Sequence, residues 1–513
     1  MAHSEGKTET RALGEFITER ASSGIAELDD VLGGGFPREQ MCLIEGDPGA
    51  GKTTLGLQFL IAGAQRGESA LYVILAETER EVRRLAASHG WSLDGVTVVQ
   101  GVSSDIQGEP DYSLYHPADV ELEKASGSIL SLLERMKPKR AVFDSLSELR
   151  LLAEDRLRYR RQLMALKNQF QLHGTTALLL DFLTNHDDRQ LESLCHGIIS
   201  MDQMAPAYGG ARRRLRVRKL RESEFRDGYH EFAIRRGGVK VFPRLVASEH
   251  RRDSFNTVTG SSGVPELDSL LGGGLDRGTS TLLLGPAGVG KSTLAAQYVK
   301  AAVERGERAS LFIFDEVPNT FVVRGEGLGM GIREHMAEGR IHLHQIDPAT
   351  MGPGEFAHLV REAVETNKSD VVVIDSLNGY MSAMPEERFL HAHLHELLAY
   401  LNQMGVVSIL VMTQQGILGT NIASPFDLSY LADTVILLRY FEIAAEVRQA
   451  VSVVKRRTGG HERTIRELRL TSKGIEVGDV LKDFQGVLTG NLVYTGSGRG
   501  SPREGKDGGT GQG

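Results

Sequence analysis

The sequence predicts an α/β protein of two tandem domains, each a mostly parallel sheet wrapped by helices. Three observations carry this. A fifteen-residue segment recurs, a glycine-rich loop recurs at the same spacing, and short β-branched runs alternate with helical patterns in both halves. Residues 22–36 (SSGIAELDDVLGGGF) return as residues 261–275 (SSGVPELDSLLGGGL), an offset of 239 with ten of fifteen positions identical. The same offset carries GDPGAGKT (Gly46 to Thr53) onto GPAGVGKS (Gly285 to Ser292), so one domain is duplicated. Domains are expected over 15–247 and 259–488, joined by the linker SEHRRDSFNTV at 248–258, with a disordered tail over 489–513 that is too polar and glycine-rich to form a core.

Within the first half, VILA follows the glycine-rich loop and its helix, then come AVFD at 141–144 and TTALLLD at 175–181. SLFIF, DVVVID and VVSILVM repeat the series in the second half. Near-continuous apolar runs mark strands buried on both faces, hence parallel ones. Each half closes in alternating strands, RRLRVRKLR and AVSVVKRR, expected as antiparallel additions at a sheet edge.

Composition narrows the function classes. A net charge of −8 over 513 residues argues against general coating of a polyanion, although a local basic patch is allowed. Cys42 and Cys195, the two cysteines, form neither a disulfide framework nor a CxxC ligand pair, which suits a reducing, cytoplasmic setting. No leader-like start and no run of about 18 apolar residues is seen, so no membrane association is expected.

GxxxxGK[ST] between a strand and a helix is a phosphate loop: its glycines let backbone N–H groups close around phosphate oxygens at a helix N-terminus. The first comprises Gly46, Asp47, Pro48, Gly49, Ala50, Gly51, Lys52 and Thr53, followed by Thr54; the second comprises Gly285, Pro286, Ala287, Gly288, Val289, Gly290, Lys291 and Ser292, followed by Thr293. Lys52 and Lys291 are expected at the β- and γ-phosphates of ATP, with Thr53 and Ser292 on Mg²⁺. Asp144 and Asp375, closing AVFD and VVVID, stand where such a site orders magnesium; capping of the following helix is the alternative. Water activation points to Glu77 in ILAETE and to Asp315 and Glu316 in IFDEVP, although Glu77 also suits the first turn of a charged helix. The fold class is thus two tandem RecA-like P-loop NTPase domains.

From about residue 15 to 488 the chain resembles the KaiC family, the double-domain RecA-like ATPases and autokinases of the circadian clock. The duplicated SSG signature, the two phosphate loops, a Lys-x-Arg near the end of each half and SYLADTVILLRYFE at 429–442 carry the resemblance. It implies a homo-hexamer of two stacked rings with ATP between neighbouring subunits. Lys219, Arg221, Lys455 and Arg457 match the cations that reach a neighbour's γ-phosphate; from the residues alone, RRRLRVRKLR also reads as a charged edge strand. Ser429 and Tyr430 align with the family's Ser-Thr phosphoacceptor pair, which makes Ser429 the expected acceptor, since tyrosine carries its oxygen further out. Where the family pairs two acidic residues, the first half has Ala76-Glu77 and the second Asp315-Glu316, so slower or altered hydrolysis with binding retained is expected of the first ring. The resemblance raises a KaiB-like partner for the first ring, but no residue decides it. No match to the family's C-terminal extension follows Gly490.

Two other classes share the fold and the loops. A RecA-type recombinase or helicase would bind single-stranded DNA in a salt-dependent way, against which the acidic charge weighs, so nucleic acid is not the expected partner. A nucleotide-gated scaffold would assemble without releasing phosphate. His391, His393 and His395 lie on the amphipathic FLHAHLHELLAYL, where a helix face explains them better than a metal. Gln414 and Gln415, ending VVSILVMT, are candidates to sense the γ-phosphate or to satisfy turn backbone.

Overall fold

The computed structural model describes residues 19–101, 117–153, 155–182, 189–205, 209–250, 252, 258–382, 390–414, 429–443, 445–472, 474–487 and 493–494. The chain divides into two compact units that part after Arg244. In the first, nine strands form one sheet: β1 (Met41–Gly46), β2 (Ala70–Ile74), β3 (Val96–Gln100), β4 (Arg140–Asp144), β5 (Thr176–Phe182), β6 (Gly197–Met204), β7 (Arg212–Leu220), β8 (His230–Arg235) and β9 (Gly238–Phe242). Their order is β9-β8-β7-β6-β1-β5-β4-β2-β3. The second unit repeats it with β10 (Ser280–Gly285), β11 (Ala309–Ile313), β12 (Ile341–Gln345), β13 (Val371–Asp375), β14 (Val407–Thr413), β15 (Thr434–Ile443), β16 (Glu446–Arg456), β17 (Ile465–Thr471) and β18 (Gly474–Val480), in the order β18-β17-β16-β15-β10-β14-β13-β11-β12.

Six strands of each sheet run parallel and the last three add antiparallel beyond β6 and β15. The alternating segments are β7 and β16. They lie inside the sheet, because two further strands pair outside each. Among the labelled helices are α1 (Lys52–Ala64), α2 (Glu79–Ser88), α3 (Leu146–Ala153) and α4 (Arg156–His173), then α5 (Lys291–Glu304), α6 (Pro318–Gly327) and α7 (Leu390–Gln403). Cys42 and Ile44 of β1 face the core that holds Leu55 and Phe59 of α1, while Met41 and Leu43 face that of Leu149 and Leu163 on α3 and α4. Burial on both faces explains the unbroken apolar runs, each side chain contributing about 2 kcal/mol.

The repeated SSG signature ties the entering chain to an aspartate of the short helix that follows it. Ser22 Oγ and Ser23 N donate to the Asp29 carboxylate at 2.6 and 2.7 Å, and Ser261 and Ser262 do the same to Asp268 at 2.5 and 2.8 Å. The intervening Gly24 has φ 82° and lies so close to α1 that a Cβ would stand 2.8 Å from Gln58 O. Most of the expected linker, and all of the tail except Val493 and Tyr494, lies outside the described residues; those two pair antiparallel with Phe484 and Gln485. α7 buries Leu390, Leu394, Leu397, Leu398 and Leu401.

One arginine binds the first signature to the sheet. Arg140, at the start of β4, is fully buried; it ion-pairs with Glu68, donates to Ser22 O and Phe59 O at 2.6 and 2.8 Å, and lies over the Phe59 ring. In the second unit Arg305 reaches the equivalent carbonyl, Ser261 O, at 2.7 Å from outside the core. Arg140→Met is therefore expected to destabilise the first unit by about 2–3 kcal/mol, because it leaves two buried carbonyls unpaired and Glu68 with Arg38 alone. Differential scanning calorimetry should show the loss, with Arg305→Met costing less.

Candidate functional site: two nucleotide loops

Parallel strands bring their C-terminal ends to one edge, so the residues closing β1, β2, β4 and β5 meet there. The first loop begins at Gly46, where a Cβ would lie 2.2 Å from Met201 O, and ends at Gly51, which opens α1 at φ 99°. Lys52 is buried; its Nζ donates to Gly46 O and Asp47 O at 2.8 and 2.9 Å and lies 4.8 Å from the Phe182 ring centre. Burial holds the ammonium below the usual lysine range, with Asp144, Asp181 and Asp47 opposing. Thr53 Oγ1 and the Tyr72 phenol both donate to Asp144 Oδ2 at 2.6 Å. Burial, then Asp144, raises that phenol well above its usual range, so it remains a donor.

The second loop repeats the geometry. A Cβ on Gly285 would stand 2.5 Å from Leu438 O, and Gly290 opens α5 at φ 99°. Lys291 Nζ donates to Pro286 O at 2.7 Å, and burial lowers it to about 8 against the pull of Asp375. Burial pushes the Asp375 carboxyl up, while a hydrogen bond with Ser292 favours its charged form. Leu311 stands at the strand position of Tyr72, since Tyr72 pairs with Val142 and Leu311 with Val373.

The carboxylates expected to handle water sit alike but are held differently. Leu75 N and Phe314 N donate to Asp144 O and Asp375 O, both at 2.7 Å, which sets the chain leading to each. Thr78 and Glu81 form a reciprocal cap that starts α2 just after Glu77. Lost hydration, then Asp144 and Glu81, pushes Glu77 above the usual carboxylate range. Among the described residues Glu77 has no hydrogen-bond or ion-pair partner. Asp315 accepts from Ser376 Oγ, and Glu316 pairs with Arg324 at 2.7 Å. With Ala76 in place of Asp315, Ser145 Oγ turns to Ser147 Oγ at 2.5 Å. The second site has more carboxylate, yet both of its groups are engaged.

The remaining residues lie at the other end of the strands. Thr281 pairs with Thr434 and Leu284 with Leu437, so Ser429 and Tyr430, which precede β15, sit beside the start of β10 and away from Gly285. Lys455 Nζ donates to Ser429 O and Ala432 O at 2.8 and 2.7 Å, and Arg457 donates to Tyr430 O at 2.7 Å and pairs with Asp433 at 3.3 Å. Lys219 likewise donates to Glu192 O and Cys195 O, both at 2.8 Å, ahead of β6, and Arg221 is exposed next to it. One chain therefore brings loop, aspartate and candidate water-handling carboxylate together, but neither Ser429 nor the four cations to its own loop. Gln414 is buried and its side chain has no hydrogen-bond partner among the described residues, and Gln415 lies outside them. No cluster of three or more histidine, cysteine or acidic side chains fit for a metal ion occurs among the described residues.

The family model for the ATPase KaiC matches residues 21–246 and again residues 260–482. The chain belongs to the KaiC family. It is 26% identical over 489 residues to the circadian clock oscillator protein KaiC of Thermostichus vulcanus, covering 92% of this chain and 93% of that one. To KaiC of Synechococcus elongatus it is 26% identical over 479 residues, covering 91% and 90%. To the circadian clock protein KaiC3 of Synechocystis sp. it is 24% identical over 487 residues, covering 93% and 95%. KaiC membership makes the chain an ATP-binding protein and an ATPase. No helix among the described residues is long and apolar enough to cross a membrane.

Site residues that the motifs do not flag in this KaiC-type chain include Tyr72, Arg324 and a charged row beneath the first loop. Glu45 pairs across the sheet with Asp181 and Ser200. Ser200 Oγ donates to Glu45 at 2.6 Å, Arg218 ion-pairs with Glu45 and reaches Glu192 at 3.2 Å, and Arg150 of α3 pairs with Asp181. The matching row of the second unit is Leu284, Met412 and Leu437. The repeat offset aligns Tyr72, Glu45 and Arg324 with Leu311, Leu284 and Leu85, whereas Met412 and Leu437 correspond to Asp181 and Ser200 through strand register. Removing one partner of a buried pair costs more than removing both. Arg218→Met is expected to destabilise the first unit by about 2 kcal/mol, and adding Glu45→Leu should recover part of that loss in thermal melts.

Proposed function

We propose that this KaiC-family ATPase is a nucleotide-driven homo-hexamer of two stacked rings, with ATP between neighbours and Ser429 phosphorylated in trans by the second ring. The observation that carries this is the separation within one chain: Ser429, Lys219, Arg221, Lys455 and Arg457 lie at the opposite end of the strands from their own loops. About four residues of strand intervene, on the order of 13 Å, so these groups can serve a loop only on another subunit. The Lys-x-Arg cations would then offset charge at a neighbour's γ-phosphate. Tyr430 is 55% exposed, and its longer side chain makes it the lesser acceptor.

Magnesium fits the donor sets. Thr53 with Asp144, and Ser292 with Asp375, present hard oxygens already in hydrogen-bond contact beside a phosphate loop, the chemistry Mg²⁺ takes up. The ion would neutralise phosphate charge. Lys52 and Lys291 orient the phosphates, Tyr72 fixes the Asp144 rotamer, and Glu77 orients water at the first site. Because Glu77 is unengaged while Asp315 and Glu316 are held, hydrolysis falls mainly to the first ring and the second keeps ATP for Ser429. Two buried free cysteines, whose thiols are pushed up by burial, Cys42 to about 12, fit a cytoplasmic protein. A KaiB-like partner remains a candidate for the first ring.

Two measurements test these points. Light scattering with and without Mg·ATP should show a nucleotide-dependent hexamer, and phosphopeptide mapping should place phosphate at Ser429; absence of phosphate at residues 429–430 removes the autokinase. Glu77→Gln should reduce total phosphate release at least about tenfold. The Asp315→Asn, Glu316→Gln double variant should reduce it less, and the reverse order would contradict the assignment.

A further inference from the structure

In the second unit the carboxylate after β11 is under the control of a guanidinium with no counterpart in the first. Arg324, in the last turn of α6, donates from Nη1 to Glu316 Oε1 at 2.7 Å. Its Cζ lies 5.3 Å from the centre of the Phe321 ring, one turn earlier on the same helix, which fixes the direction from which it approaches. Among the described residues the Nη2 of the same group is buried without a hydrogen-bond partner, while the two side chains as a whole are 34% and 22% exposed, so the pair is half-buried at the margin of the site. At the repeat offset of 239 the first unit has Leu85 instead, packed against its apolar core, and Glu77 is unpaired.

A carboxylate takes a proton from attacking water through a free lone pair. A guanidinium donating to that oxygen occupies the lone pair and holds the carboxylate away from an attacking water. We propose that Arg324 is a positioning residue that restrains hydrolysis at the second nucleotide site by engaging Glu316. The inference rests on the water-orienting role given to the carboxylate above. In hydrolysis the water oxygen bonds to the γ-phosphorus, the bond from that phosphorus to the bridging oxygen of ADP breaks, and the water's proton passes to Glu316. With the ion pair closed Oε1 is occupied and the carboxylate is turned toward Arg324, so only Oε2 is left to take that proton and ATP persists longer at the second site. The same arrangement explains why the unit with more carboxylate would be the slower hydrolase.

The test uses the full chain carrying Lys52→Ala, so that turnover reports the second site. Arg324→Leu, which installs the residue of the first unit, should raise kcat for phosphate release about fivefold with KM changed less than twofold. Arg324→Gln should do the same should the leucine variant fold poorly, and Arg324→Lys, which keeps a cation, should stay near the parent. Adding Glu316→Gln to Arg324→Leu should abolish the gain. A kcat that is unchanged or lower in both the Leu and Gln variants overturns the restraint. If Glu316→Gln alone stops turnover in that case, the role of the carboxylate stands and only the restraint fails. If the gain from Arg324→Leu survives Glu316→Gln, the carboxylate is not the base and both proposals fall.

Discussion

Each unit depends on one contact: a hydroxyl in the first turn of the helix after the loop meets an aspartate that closes an interior strand, Thr53 with Asp144 and Ser292 with Asp375. The contact needs the loop strand and the aspartate strand to end at the same level, which the parallel register provides through the strand between them. It also needs the loop to turn tightly enough to deliver the hydroxyl. Gly46 and Gly285 press against a neighbouring carbonyl with no space for a Cβ, and Gly51 and Gly290 take a left-handed conformation that a side chain would strain. The loop motif is thus fixed by packing as much as by phosphate.

Around that shared contact the two copies have solved burial differently. Beneath the first loop, Glu45 and Asp181 are carboxylates taken out of water, and each is matched by an arginine, Arg218 from β7 and Arg150 from α3. The second unit fills the same row with Leu284, Met412 and Leu437 and pays no desolvation cost there. The ionic version ties the loop strand to the strand bearing Lys219, one residue on from Arg218. Any shift of the first loop strand is felt at that lysine, whereas the apolar row of the second unit has no such directional link.

Much of this was legible in the sequence because duplication doubles each signal. The repeat offset exposed two domains, and the motif with its strand-closing aspartates exposed the core of both sites. The apolar runs gave the parallel strands, since only strands buried on both faces lack alternation. What stayed hidden depends on the third dimension. Tyr72 looks like an ordinary buried aromatic until its phenol is seen on Asp144, and Arg324 like a surface charge on a helix until it closes on Glu316. Counting carboxylates favours the second site as the faster hydrolase; the opposite order proposed above rests on which groups are engaged, and a sequence does not show that. The alternating strands were expected at a sheet edge, and pairing partners beyond them, β8, β9, β17 and β18, move them inward.

The lysines of the Lys-x-Arg pairs connect the two ends of the strands. Lys455 holds the turn at Ser429 and Ala432 by their carbonyls, and Lys219 holds the end of the helix Arg189–Leu194 through Glu192 and Cys195. An ammonium has three N–H groups, so a lysine that donates two to a turn has little left for a phosphate without releasing part of that turn. In the proposed assembly, a cation drawn to a neighbour's γ-phosphate would loosen the segment that carries the acceptor hydroxyl. Arg457, bonded to Tyr430 O and Asp433 on the same turn, adds to the coupling. In that proposal the same few hydrogen bonds would link nucleotide state on one subunit to acceptor presentation on the next.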